Sequence, residues 1–174
     1  MPARVTAPTL TAALLALAGL LAPRAASAAC TGVGLFSCSA TVSAGSPLAF
    51  GNYDPAVATP RDSTSTVTVV GTVTGVGILV TLSYSVSLSA GSAGTIAARQ
   101  MTGPSTTPLA YNLYTTNARG TVWGTNSVND SYSALASIGG TVTSRPYTVY
   151  GRIPPGQYVA PGGYGSTITV TVTY

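Results

Sequence analysis

Hydrophobic and polar residues alternate along five stretches of this chain. From Thr167 onward, Ile168, Val170, Val172 and Tyr174 take one face and Thr167, Thr169, Thr171 and Thr173 the other, which is the period of two that a half-buried strand requires. Val80, Leu82, Tyr84, Val86 and Leu88 alternate with Thr81, Ser83, Ser85 and Ser87, and Thr66 to Thr74 behaves in the same way. Gly75-Val76-Gly77 lies between these two runs and predicts a hairpin connection. Leu109, Tyr111 and Leu113 give a further strand. Tyr147, Val149 and Ile153 share a face on which Gly151 holds the remaining inward position, so a close backbone approach or a bulge is expected there.

The other elements are less regular. Ala40 to Phe50 predicts a first strand broken at Gly45-Ser46-Pro47, followed by a turn over Gly51 to Pro55 in which Asp54 precedes Pro55. Ala56 to Ser65 predicts a polar loop, and Ser89 to Gly94 a turn. The single tryptophan, Trp123, lies in Thr121 to Gly124, and a polar stretch from Thr125 to Ser133 leads to weak strand signals between Leu135 and Thr143. No helical period stands out beyond residue 29, and turns recur at the spacing of an all-β sandwich.

Residues 1–29 have the pattern of a secretion signal, with Arg4 in a positive start, an apolar run from Leu10 to Ala22 and small residues up to Ala29. Residues 30–174 are then one domain with one core. No later apolar run reaches the roughly 20 residues that cross a bilayer, so no transmembrane segment is expected in the mature form. Ser27 stands where a lipoprotein signal carries a larger aliphatic residue, which argues against acylation of Cys30. Setting aside Arg4 and Arg24, five of the seven arginines face three aspartates. A charge this dilute leaves no footprint for nucleic acid. With no Lys, Glu or His in the chain, low charge and β-prone runs favour assembly.

Catalysis finds little to work with. Without histidine a Ser-His-Asp or Cys-His apparatus cannot form. Asp54, Asp62 and Asp130, the only acidic side chains, lie in turn-like sequence rather than in a facing pair. No metal site and no cofactor is expected. Tyr132, Tyr158 and Tyr164 fall in loop-like sequence and are candidates for stacking on sugars, although a small sandwich more often buries its tyrosines. Tyr53, Tyr84, Tyr111 and Tyr147 suit the core or strand edges, and Arg99 and Arg152 suit pairing with an aspartate or a carbonyl. Cys30 and Cys38 would oxidise in an exported protein. A bridge over Thr31 to Ser37 is the expected state, with free core thiols or intermolecular pairing as alternatives.

YTVYGRIPPGQ from Tyr147, PGGYGSTITVTVTY from Pro161, LAFGNYDP from Leu48, SVSLSAG from Ser85, RQM from Arg99, LAYNLYTT from Leu109 and TVWG from Thr121 together resemble the spore coat protein U domain family. That family is related to the pilins of archaic chaperone–usher systems. The resemblance implies an immunoglobulin-like β-sandwich lacking its final strand, held in the periplasm by a chaperone and delivered through an outer-membrane usher. A strand from a neighbouring pilus or coat subunit then completes it, in support of adhesion or biofilm at the cell surface. It places the receiving edge at Ile168, Val170, Val172 and Tyr174; a carbohydrate-binding tip domain is the alternative. Many relatives carry a cysteine around Val70 to Thr72, where this chain has Gly71, so the resemblance favours the local Cys30–Cys38 pair. Only Cys30 to Ser37 precede Cys38 in the mature chain, a short arm for donation, which leaves two readings open: a tip or terminal subunit that accepts a strand without giving one, or a different assembly.

Overall fold

A computed structural model describes residues 30–174; the secretion signal expected at residues 1–29 lies outside the described residues. Eight antiparallel strands form the fold: β1 (Cys30–Ala44), β2 (Arg61–Leu88), β3 (Ala93–Gly94), β4 (Arg99–Met101), β5 (Leu109–Tyr114), β6 (Val128–Ala136), β7 (Thr141–Ile153) and β8 (Val170–Thr173). The expected all-β class is what the chain adopts.

The hairpin expected at Gly75-Val76-Gly77 does not form. β2 runs through it as one 28-residue strand, because β1 stays paired across the same region, Leu35 with Val76 and Phe36 with Gly75. The two-stranded ribbon therefore turns a corner out of its own plane instead of reversing within the sheet. Gly34 and Gly75 have φ of 131° and 122° there, a region that other residues rarely enter. A Cβ on either glycine would collide with the facing backbone. The turn is nearly a full fold. Cys30 and Cys38 lie on one strand, and eight extended residues span about 26 Å, yet their Cα atoms are 6.3 Å apart.

Folding the ribbon gives two layers. The first half of β2 lies between β1 and β7, with β5, β4 and β3 beyond β7; the second half carries β6 on one side and β8 on the other. Val67 and Val69 from the first layer meet Leu82, Tyr84 and Val86 from the second in a core that also holds Trp123, Leu109 and Ile153. The expected alternation of Val80 to Leu88 is fully realised, its five apolar residues being buried.

Several boundaries differ from the sequence expectation. The first strand begins at Cys30 rather than Ala40, so the supposed arm Cys30 to Ser37 is part of the sheet. β2 begins at Arg61, inside the expected loop Ala56 to Ser65. β6 occupies much of the stretch from Thr125 to Ser133, because its outward Ser and Asn residues disguise a strand whose inward positions include Tyr132. Residues 45–50 leave the ladder but remain beside β2, through Gly45 N–H to Thr66 O (2.8 Å), Ser63 Oγ to Ala49 O (2.6 Å) and Arg61 Nε to Phe50 O (2.6 Å). Asp54 makes its turn, its Oδ1 accepting Ala56 N–H at 2.9 Å.

Candidate functional groove

One long side of the two-layer fold is open. The first layer ends there with β1 and residues 45–50, and the second with residues 166–174. β1 and β8 each pair with β2 alone, so among the described residues no strand pairs with the outer backbone edge of either. Only Val170–Thr173 form a regular ladder. The residues before them are held by Thr167 N–H to Ser92 Oγ and Thr169 N–H to Ser89 Oγ, both 2.9 Å, and Ser89 N–H returns to Thr169 O at 3.0 Å.

The inward residues on this side pack against the core without being covered by it. Ile168, Val170, Val172 and Tyr174 are half-buried, as are Val42 and Leu48 on the opposing wall. Strand Val80–Leu88, covered on both sides, hides the same kind of residue completely. Toward one end the groove deepens into a cleft of about 790 Å³ between residues 48–55 and 159–166, floored by Met101, Leu109 and Ile153. No charged side chain lines it. At the other end the Cys30–Cys38 disulfide ties the layers together.

Local sequence explains the walls. Gly151 takes the inward position on β7 because Phe50 and Leu48 fill the space: a Cβ there would lie 2.8 Å from Phe50 Cζ and 2.9 Å from Leu48 Cδ1. Side chains therefore pack onto the bare backbone here, in place of the close backbone approach or bulge expected from the sequence. Phe50 in turn meets Tyr111 edge-on, with ring centroids 6.3 Å apart. On the far wall the Tyr164 ring lies over Gly103, its hydroxyl donating to Ala160 O at 2.9 Å. Thr102 and Gly165 exchange two backbone hydrogen bonds of 2.9 Å beneath it.

Arg99, wholly buried, holds one end of the molecule. Its guanidinium donates to Trp123 O and Asn112 Oδ1 at 2.7 Å, Ser89 O at 2.9 Å, Leu88 O at 3.2 Å and Ile96 O at 3.4 Å. No carboxylate faces it, and burial draws its pKa below the usual arginine value. Arg152 pairs with Asp62 through two bonds of 2.8 and 2.9 Å. Both arginines thus have the partners the sequence suggested. Away from the groove, the Tyr147 hydroxyl joins β7 to β6 by donating to Asp130 Oδ2 at 2.5 Å, with Tyr84 Oη 2.5 Å from Tyr147 Oη. Burial, reinforced by the hydrogen bonds with Asp130 and Tyr84, pushes the Tyr147 phenol far above its ordinary pKa.

The three tyrosines considered for sugar stacking are not brought together. Tyr132 is a correction: it is a buried strand residue, and its hydroxyl occupies the space that a side chain at position 71 would need. Gly71 is what accommodates it. Tyr158 is 78% exposed, and Tyr164 belongs to the groove wall. Leu48, Phe50, Met101 and Leu109 are groove residues that periodicity missed, since residues 45–50 abandon the strand period; the inward glycine at 151 was the one signal of what packs there. Among the described residues, no group of three metal-ligating side chains occurs, and no helix is long and apolar enough to cross a membrane.

The family described as Spore Coat Protein U domain matches residues 25–171. Protein U of Myxococcus xanthus is 32% identical over 136 residues, covering 75% of this chain and 73% of that protein. A solved structure, the CsuC–CsuE chaperone–tip adhesion subunit pre-assembly complex from the archaic chaperone–usher Csu pili of Acinetobacter baumannii, aligns with a TM-score of 0.44 at 22% identity. That alignment covers 80% of this chain and 40% of the other, so this chain spans less than half of its length.

Proposed function

The chain belongs to the spore coat protein U domain family, and from that membership we propose that it is a structural subunit of a surface coat or pilus, completed by a β-strand from another protein. The observation that carries the proposal is the open side. Two backbone edges face the same uncharged groove, and inward residues of good strand pattern are only half covered. An inserted strand would hydrogen-bond to an edge and place alternate apolar side chains over Ile168, Val170, Val172 and Tyr174, with Val42, Leu48 and Phe50 opposite.

The occupant during export would be a periplasmic chaperone, and after passage through an outer-membrane usher it would be a neighbouring subunit. The finished assembly would lie at the cell surface and support adhesion or biofilm. Residues 30–44, which lie within the sheet of this chain, suit a subunit that receives a strand without giving this one. The test is direct: add a synthetic peptide of alternating apolar and Ser/Thr residues and follow amide hydrogen exchange. Protection gained at residues 39–44 and 167–174 supports the proposal. Unchanged exchange at a saturating peptide concentration refutes it.

A further inference from the structure

At the ribbon corner, on the opposite face from the core, six large apolar side chains point into solvent: Val33 and Leu35 on β1, Val76 and Ile78 on β2, and Leu135 and Ile138 at the end of β6 and just beyond. Their exposure runs from 57% to 87%. Pairing makes them one surface, since Leu35 lies opposite Val76 and Val33 opposite Ile78, while Gly77 faces Ala136 and Gly75 N–H bonds to Ser137 O at 3.0 Å. At roughly 60–120 Å² of apolar area per side chain, the six present on the order of 400–700 Å². A soluble monomer rarely exposes so much in one place without a use.

The corner also has a free strand edge. Val33 to Ser37 pair with β2 on one side, and among the described residues nothing pairs with their other side. The sequence between Thr31 and Ala44 contains no charge and no proline, two of the devices that normally protect such an edge. Gly34 and Gly75 fix the ribbon in this shape, and the Cys30–Cys38 bridge closes its base.

We propose that the corner is a self-association surface, occupied by a second copy of this chain with the Val33 to Ser37 edges of the two copies antiparallel across a two-fold axis. The open edge decides the occupant. Backbone N–H and C=O groups in a row need another strand, which a featureless apolar surface cannot offer. An edge that meets itself is complementary by symmetry. The apolar area supplies the centre of an interface of about 800 Å² per partner, and the surrounding Ser and Thr residues its polar rim. Neither copy brings a charge to the centre, so contact carries no electrostatic cost. The groove uses the β1 edge only from about residue 39 onward, beyond the corner, so each dimer could still accept strands.

The test uses the exported full-length product with its disulfide formed, in three forms: unaltered, with Leu35→Asp and Val76→Asp together, and with Ile168→Asp in the groove. Sedimentation velocity at about 50 µM should give a dimer for the first and third and a monomer for the second, with association weakened at least tenfold. Thermal melts check that the corner variant is folded, and a milder Leu35→Ser, Val76→Ser pair should weaken the dimer in the same direction. A monomeric unaltered protein, an undiminished dimer in the corner variants, or loss of the dimer only with Ile168→Asp would each overturn the proposal. Adsorption of a monomeric unaltered protein to alkyl-coated beads, lost in the corner variants, would also overturn it, in favour of a non-protein apolar surface.

Discussion

Phe50 Cζ stands 2.8 Å from the point where a Cβ on Gly151 would be. The missing side chain on β7 is therefore what lets residues 48–50 close against the first layer and form one wall of the groove. Gly151→Ala should cost about 1 kcal/mol and Gly151→Val about 2–3 kcal/mol, the range for overpacking a filled site. Urea denaturation measures both. A Gly151→Val protein as stable as the original would mean that the wall is not packed as described.

The disulfide makes a second prediction. Closing a loop this short stabilises by about 2–3 kcal/mol in the chain-entropy model, and here it also joins the two limbs of the folded ribbon at Cys30 and Cys38. Cys30→Ser with Cys38→Ser should lose that amount in denaturant titration. Mapping of the unaltered protein without reductant should find one bridge within a single chain. Two free thiols or a covalent dimer would contradict it.

Arg99 cannot be exchanged for lysine. Five acceptors converge on its guanidinium, and an ammonium offers three donors from one point. Arg99→Lys should destabilise by about 2–3 kcal/mol and Arg99→Ala by more, since each leaves buried carbonyls unpaired. Yield and melting temperature report this, and a fully stable Arg99→Ala protein would exclude it.

Acid should loosen the side away from the groove. Burial acts to raise the pKa of Asp130, but hydrogen bonds from Tyr147 and Ser131 N–H, together with the charge of Arg145, outweigh it and hold the carboxyl below its ordinary value. A depressed pKa contributes stability that is complete above the unfolded value of about 3.9 and is lost as pH falls through the folded one. Asp62 is lowered too, chiefly by its hydrogen bond with Arg152. The melting temperature should therefore fall below about pH 4, and Asp130→Asn should lower it at neutral pH while flattening that acid dependence. An acid profile identical in the two proteins would rule Asp130 out as its source.

Much of this architecture could be read from residue alternation. Val80 to Leu88, Leu109 to Leu113 and the face of Tyr147, Val149 and Ile153 all lie where their period places them, and the bare position at Gly151 marked a site of close packing without showing that side chains fill it. The corner at Gly75 was not legible. A glycine that reverses a strand within a sheet and one that bends a ribbon out of it look alike in sequence, and only the pairing partner, β1, separates them. Tyr132 was misplaced because its flanking Ser and Asn residues face solvent on a strand instead of filling a loop. The groove was half visible: the wall at Ile168 to Tyr174 has strand period, whereas the wall at Leu48 and Phe50 is held by side-chain hydrogen bonds from Ser63 and Arg61 that leave no period behind.

Strand acceptance is the central claim, and its most direct measurement compares the melting temperature of the unextended protein with that of one carrying an alternating apolar segment, joined through a flexible linker after Tyr174. Burying four or five large apolar side chains at roughly 1.5–3 kcal/mol each is comparable to the whole stability of an ordinary domain. Even after the entropy of ordering the segment, the rise should exceed about 10 °C. The same segment with Asp at its inward positions should give no rise. A stable unextended monomer whose melting temperature is unchanged by the apolar segment would contradict the account, because the groove would then have no need of a strand.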